Sequence, residues 1–355
     1  MKKKILFTSL IIFSLLAISC AKGTTGLFYS LSIEEEITDN SDLSNDISVA
    51  DMTESSSYIF INTSFSVFYR TISGTDWSEL SFPSDMDICT AISVYNDGTN
   101  EYLYAAFSND SLSDNKLYRV SATNVSSSWE EIWSSSSDRI TSLFYVYDGS
   151  TTHYLFANRQ SSTDHALIYS TTGAASSFTG TTAITASQTP VIGVVYDGSN
   201  FWAATRDKLF SNSTLANLGD TAVSDTALSS IEKYTAIALE TSNVYVSGVD
   251  TTTSGSAENS YLAMYNGSEW QVATYESVWI TSIAISGTEL VAGLGKGIKT
   301  GSDINSLTEP GGNYLSTGLD DIYITELMFV GSDLYAATAS NGLWKRSSSL
   351  DWSIE

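Results

Sequence analysis

The sequence predicts an all-β fold, a seven-bladed β-propeller of four-stranded antiparallel blades. A short phrase, an apolar-aromatic strand followed by small residues, recurs seven times. An alternating run ending in a turn precedes most copies, and a further apolar run follows each, often with a Trp after it. Self-similarity at a period of about 40–50 residues is the signature of blades stacked around a ring. No helical periodicity of any length competes with it.

The chain of 355 residues opens with Met1 to Lys4, a charged start, then the apolar run Ile5 to Ile18. That run has the length of a signal-peptide core and is too short to span a bilayer. Ala17-Ile18-Ser19-Cys20 closes it. Small residues before a Cys resemble a bacterial lipobox, with Ala where Leu is commoner, and the variant is similar to those of spirochaete lipoproteins. The resemblance implies that Cys20 is diacylated and becomes the first residue of an exported chain. Residues 1–19 are therefore expected to be a lipoprotein signal peptide. Residues 20–46 are expected to be a lipidated Cys and an acidic tether (Glu34, Glu35, Glu36), in which 27–33 is a candidate ring-closing strand. Residues 47–355 are expected to form the propeller.

The repeated phrase begins at Ile59, Leu103, Leu155, Phe201, Val244, Leu290 and Leu334, in steps of 44, 52, 46, 43, 46 and 44 residues. It is taken as strand B. Strand A lies upstream, starting at Thr90, Thr141, Pro190, Thr235, Thr281 and Thr325, with Ile47-Ser48-Val49-Ala50 expected for blade 1. Turns such as Asp97-Gly98, Asp148-Gly149 and Asp197-Gly198 follow it, and Gly and Asp tolerate the positive φ of hairpins. Strand C comes next, for example Val67-Phe68-Tyr69-Arg70 and Leu343-Trp344-Lys345-Arg346. Strand D opens with Trp77, Trp129, Trp270 or Trp352, and once with Phe178. Alternating side chains on each blade are expected to be buried between neighbouring blades, which accounts for the Trp and Tyr positions as packing.

The phrase Leu334-Tyr335-Ala336-Ala337-Thr338, with Asn341-Gly342-Leu343-Trp344-Lys345 and Trp352, resembles sensor-type and Asp-box repeat propellers of bacteria. Over residues 45–355 plus the signal, the chain is similar to exported propeller lipoproteins of spirochaetes. The resemblance concerns the fold, because propellers host unrelated functions. Ser73-Gly74-Thr75-Asp76-Trp77 keeps only fragments of an Asp-box. The six arginines lie mostly at strand B and C ends, which argues against the arginine cluster of a sialidase.

Composition excludes several function classes. Lys and Arg number 16 against 40 Asp and Glu, a formal charge of -24 that becomes 13 minus 40, or -27, without Lys2, Lys3 and Lys4. Phosphate binding depends on Lys and Arg, so no nucleic acid partner is expected. With Cys20 lipidated, Cys89 has no disulfide partner. His153 and His165, the two histidines, read as turn or edge residues, so no catalytic triad is expected. No His or Cys cluster suits a transition metal. A structural calcium ion is the one cofactor left open, at acidic loops such as Asp320-Asp321.

The B–C and D–A connections emerge on one face of a propeller, and the longest fall there: about 107–116, 159–166, 217–233, 248–261 and 308–323. They carry the candidate binding residues Asp110, Asp114, Asp164, Asp225, Glu258, Tyr314, Asp320, Asp321 and Tyr323. The expected function is a lipid-anchored, monomeric binding scaffold of the cell envelope, inner or outer membrane or cell surface, for a protein or glycan partner. The alternatives are a glycan hydrolase or lyase working in the central pocket and an envelope-assembly component. No catalytic residue is assigned: Glu326 is the main acid in the strand A runs, and paired acids are not expected there.

Overall fold

The computed structural model describes residues 43, 46–178, 182–187, 189–250, 259–347 and 350–355. Cys20, the signal segment, the tether and the candidate closing strand 27–33 lie outside the described residues. Asn45–Glu355 forms one compact unit.

That unit is a seven-bladed propeller, with 26 strands among the described residues. Blade 1 comprises β1 (Asp51–Glu54), β2 (Tyr58–Asn62), β3 (Val67–Thr71) and β4 (Ser78–Leu80). Blade 2 runs from β5 (Ile88–Asn96) to β8 (Glu130–Ser135), and blade 3 from β9 (Asp138–Tyr147) to β12 (Thr182–Ser187). Blade 4 is β13 (Val191–Tyr196), β14 (Phe201–Thr205) and β15 (Leu209–Asn212). Blade 5 runs from β16 (Lys233–Glu240) to β19 (Trp270–Glu276). Blade 6 is β20 (Ile280–Ser286), β21 (Glu289–Leu294) and β22 (Ile298–Gly301). Blade 7 runs from β23 (Ile324–Val330) to β26 (Trp352–Ile354). Strands follow sequence order in every blade, and all pairings are antiparallel. The seven inner strands adjoin one another in a closed ring.

Five blades have four strands. In blades 4 and 6 the outer strand shrinks to an isolated bridge, Phe210 to Ala222 and Thr300 to Thr308. These two blades lack the aromatic residue that opens strand D elsewhere. The aromatic anchors that strand by packing: Trp129 meets Phe107 and Tyr118 edge-on and donates its indole N–H to Ser81 O of blade 1.

Blade 1 differs from expectation at its start. Its inner strand is Asp51–Glu54, not Ile47–Ala50. Residues 47–50 are drawn toward blade 7, where Val49 N donates to Thr338 O (2.9 Å) and Gly342 N donates to Ile47 O (2.9 Å). Blade 7 completes itself with β23–β26.

Six apolar clusters are each shared by two consecutive blades, from Phe60, Val67 and Ile92 between blades 1 and 2 to Val291, Leu327 and Trp344 between blades 6 and 7. Strand B supplies fully buried aromatics such as Phe60, Tyr104, Phe156 and Tyr335. Burying one such ring contributes about 2–3 kcal/mol relative to exposing it.

The Thr that recurs in strand A also has a structural cause. Six inner strands shift register beside that position, as between Cys89 and Ala91 or between Ile324 and Glu326. At the shift, Thr hydroxyls bond the next blade: Thr90 to Ile140 O, Thr281 to Ile324 O and Thr325 to Val49 O, each at 2.6 Å. A bulge re-aims a side chain out of the ladder, and here it turns the Thr into a stitch across the ring.

Candidate functional site

The long connections emerge on one face, though several are shorter than the spacing suggests. In blade 3 the predicted insertion 159–166 is an extended hairpin: β10 (His153–Ser161) and β11 (Asp164–Ser170) pair through Ser161 and Asp164, so Asp164 begins a strand. In blade 2 the strands consume both ends of 107–116 and leave 109–114 as the loop. Asp110 is exposed there, and Asp114 pairs with Lys116 (3.2 Å). Asp225 is exposed and caps a short 3-10 turn by accepting from Ala227 N (2.9 Å). Glu258 lies outside the described residues.

The connection from blade 6 to blade 7 folds into a one-turn helix, α1 (Tyr314–Thr317), and a 3-10 turn (Leu319–Asp321). Asp320, Asp321 and Tyr323 are exposed on it. Tyr314 is not: it is 2% exposed, and its hydroxyl accepts from Ile298 N (2.7 Å). Gly297 makes this possible, because a Cβ there would stand 2.3 Å from Tyr314 Oη. Tyr314 therefore belongs to the core beneath the looped face, not to its surface. An aromatic in a long polar loop carries no sign in sequence of which way it turns.

Of the eight exposed large hydrophobic residues among those described, four lie in the B–C and D–A connections of this face: Phe65, Leu112, Trp279 and Tyr323. Ile72, Tyr147 and Leu350 are on the opposite face, and Leu315 follows Asn313, which exchanges hydrogen bonds with Trp352 near Leu350. Trp279 and Tyr323 hold equivalent places, each directly before an inner strand. Gly295 N donates to Trp279 O (2.7 Å), and Ala339 N donates to Tyr323 O (3.1 Å). The turn Gly295-Lys296-Gly297 joins the two connections, since Gly297 N donates to Ile322 O (2.8 Å) and Lys296 Nζ pairs with Asp321 (2.6 Å).

One level deeper, the strand registers align Asp51, Ala91, Ser142, Gly193, Ala236, Ser282 and Glu326 around the ring. Five are small or polar, and two on adjoining blades are acids. Glu326 Oε2 accepts from Met52 N (2.6 Å), and Asp51 Oδ2 accepts from Ile92 N (2.8 Å). Burial raises both carboxyls, Asp51 up to about 7; backbone hydrogen bonds oppose the shift, and the Asp51 charge pushes Glu326 up further. Both side chains are half-buried. An inner strand at 47–50 in blade 1 would keep Asp51 out of this register, so the pair departs from the expectation. Aligning blade 1 on Asn62, the last residue of its repeated phrase, puts Asp51 at the Glu326 position and was the available signal.

The remaining expectations concern chemistry elsewhere. His153 Nδ1 meets Tyr145 Oη (2.7 Å), and His165 Nδ1 meets Asn158 Nδ2 (3.1 Å). Cys89 is buried and unbridged, its thiol pushed well up by burial and by the Asp51 charge. The Asp-Gly turns spend their carboxylates internally: Asp148 Oδ1 accepts from the amides of Ser150, Thr151 and Thr152. Burial acts upward on Asp148, and those hydrogen bonds outweigh it, holding the group far below the usual range. Among the described residues no group of three or more His, Cys, Asp or Glu is placed to hold a metal ion. No described helix is long and apolar enough to cross a membrane.

No protein-family model and no curated protein matches the chain. Solved structures do match its fold. The extracellular domain of the putative hybrid two-component system BT4673 from B. thetaiotaomicron is similar at 13% identity and TM-score 0.57, covering 85% of this chain and 39% of that one. An ancestral GH74 enzyme is similar at 12% identity and TM-score 0.62, covering 88% of this chain and 47% of that one. The β-propeller domain of the Trilobed protease from Pyrococcus furiosus, described as having an open velcro topology, gives 8% identity and TM-score 0.54, with coverages of 88% and 96%. The chain thus spans less than half the length of the first two. At these identities the likeness establishes a β-propeller and nothing about what it binds.

Proposed function

We propose that the protein is a lipid-anchored binding scaffold of the cell envelope that engages a protein or glycan partner through the face bearing the B–C and D–A connections. The observation that carries this reading is the presence of Phe65, Leu112, Trp279 and Tyr323, all exposed, in the connections of that face, among exposed acids. Clustered exposed apolar groups rimmed by charge mark interaction surfaces. The anchor follows from the lipobox-like Ala17-Ile18-Ser19-Cys20. Two experiments test it. Labelling with radioactive palmitate should mark the wild type and not Cys20→Ala. Partner capture with residues 21–355 should be lost on Phe65→Glu with Leu112→Glu and kept on Ile72→Glu with Leu350→Glu. Loss from the second pair alone would place the interface on the opposite face.

A second reading, a glycan-active enzyme, is favoured by the Asp51–Glu326 pair, since two carboxylates are the equipment of glycoside hydrolysis. It predicts reducing-end release from a polysaccharide panel that Glu326→Gln abolishes. A fold-intact protein releasing nothing across the panel would remove it.

A further inference from the structure

The acid pair has no cation. Asp51 and Glu326 each spend one oxygen on a backbone amide, and neither accepts from a Lys, Arg or His side chain among the described residues. Two carboxylates held together without a counter-charge are costly, and a cation arriving between them removes the repulsion. On blade 6 the aligned group is the Ser282 hydroxyl, which is buried and without a hydrogen-bond partner.

Above the pair, on the same sector of the rim, stand the exposed rings of Trp279 (40%) and Tyr323 (43%). Tyr323 precedes Glu326 by three residues, about 10 Å along an extended strand. A lysine carries a compact charge on a four-carbon stem. Passing the rings, such a stem brings its ammonium to the carboxylates. Three cations of this face are engaged elsewhere: Lys296 with Asp321, Lys233 with Asp207, and Arg139 with Gln160. The rim itself is acidic at Asp320 and Asp321, and the apolar side chains Phe65 and Leu112 on the same face suit a protein better than a sugar.

We propose that the mouth of the central channel, at blades 6, 7 and 1, receives a lysine side chain from a basic protein partner, with the stem against Trp279 and Tyr323 and the ammonium at Asp51 and Glu326. The proposal rests on the looped face being the binding face and names what that face recognises. Cys89, on β5, is the other titratable group facing Asp51, and its raised thiol stays neutral. Binding therefore draws on the two carboxylates and releases protons near neutral pH.

The test is calorimetric titration at physiological salt with a capped pentapeptide bearing a central lysine, its norleucine counterpart and a glucosamine oligomer. The lysine peptide should bind at least about tenfold more tightly than norleucine, which keeps the stem and lacks the charge. Trp279→Ala with Tyr323→Ala should weaken it by about tenfold without altering the fold, both residues being exposed. Glu326→Gln keeps the acceptor for Met52 N and should abolish the proton release seen between two buffers. Equal binding of lysine and norleucine, or indifference to the ring variants, overturns the proposal. Tighter binding of the glucosamine oligomer overturns the protein source. If the ring variants change nothing while Phe65→Glu with Leu112→Glu still abolishes partner capture, the site fails and the looped face stands.

Discussion

Between blades 4 and 5 the chain runs on from one blade to the next, and the contact near the axis is apolar: a Cβ on Gly193 would stand 2.3 Å from Ile237 Cγ2. Trp202, Val244, Val246 and Trp270 extend that packing outward. Between blades 7 and 1 the two elements are 274 residues apart, and polar bonds dominate the contacts nearest and farthest from the axis. Inside, Glu326 and Thr325 reach Met52 N and Val49 O. Outside, Arg70 is 3% exposed, bonded to Tyr335 Oη (2.7 Å), paired with Glu355 (2.7 Å) and stacked over Trp77. A seam joined by the chain tolerates non-directional packing, because its two sides are never far apart. A seam closed from opposite ends of the ring gains from directional bonds, which define one register and no other.

The closing seam is most vulnerable at Arg70. Arg70→Ala leaves the Glu355 carboxylate, itself 10% exposed, without its partner and opens the outer part of the closing seam. A loss of about 3–5 kcal/mol is expected in denaturant unfolding. Next is the chain-linked seam. Gly193→Ala forces its new methyl against Ile237 and should cost about 1–3 kcal/mol, the range for overpacking. A neutral result would show that blades 4 and 5 can slide apart, and that the apolar seam is the softer one.

The acid pair gives a smaller effect of opposite sign. A carboxyl raised in the folded state binds more protons folded than unfolded between its ordinary value and about 7, so stability falls as pH rises through that window and the penalty is complete above it. Asp51→Asn retains an acceptor for Ile92 N and removes the charge. It should raise the melting temperature at pH 8 by about 2 °C or more, with the gain shrinking toward pH 4. A gain that is equal at both pH values would assign the effect to packing. Smallest is Lys296→Ala: its pair with Asp321 is 76% exposed on both sides, so no measurable change in melting temperature is expected.

Much of the fold was legible because each blade repeats the same physical problem. Strand B must be apolar on both faces to fill two seams, so its phrase recurs at Leu103, Leu155 and Leu334 with little change. Strand D was legible where Trp77, Trp129, Trp270 or Trp352 anchors it, and it shrank to a bridge in blades 4 and 6, which lack such an anchor. The candidate face was legible in part: Asp110, Asp225, Asp320, Asp321 and Tyr323 are exposed on it, while Tyr314 is buried under Gly297. Loop direction is set by contacts remote in sequence, and nothing local announces it.

The sequence by itself determined that the chain is a ring of seven β blades with aromatic-rich seams and a strongly acidic surface. Those properties follow from local alternation, period and composition, which each blade carries on its own. Tertiary structure alone decided that residues 47–50 are drawn to blade 7 and that Asp51 and Glu326, at the two ends of the ring, become neighbours. Closure brings them together, and closure is a property of the whole ring rather than of any segment.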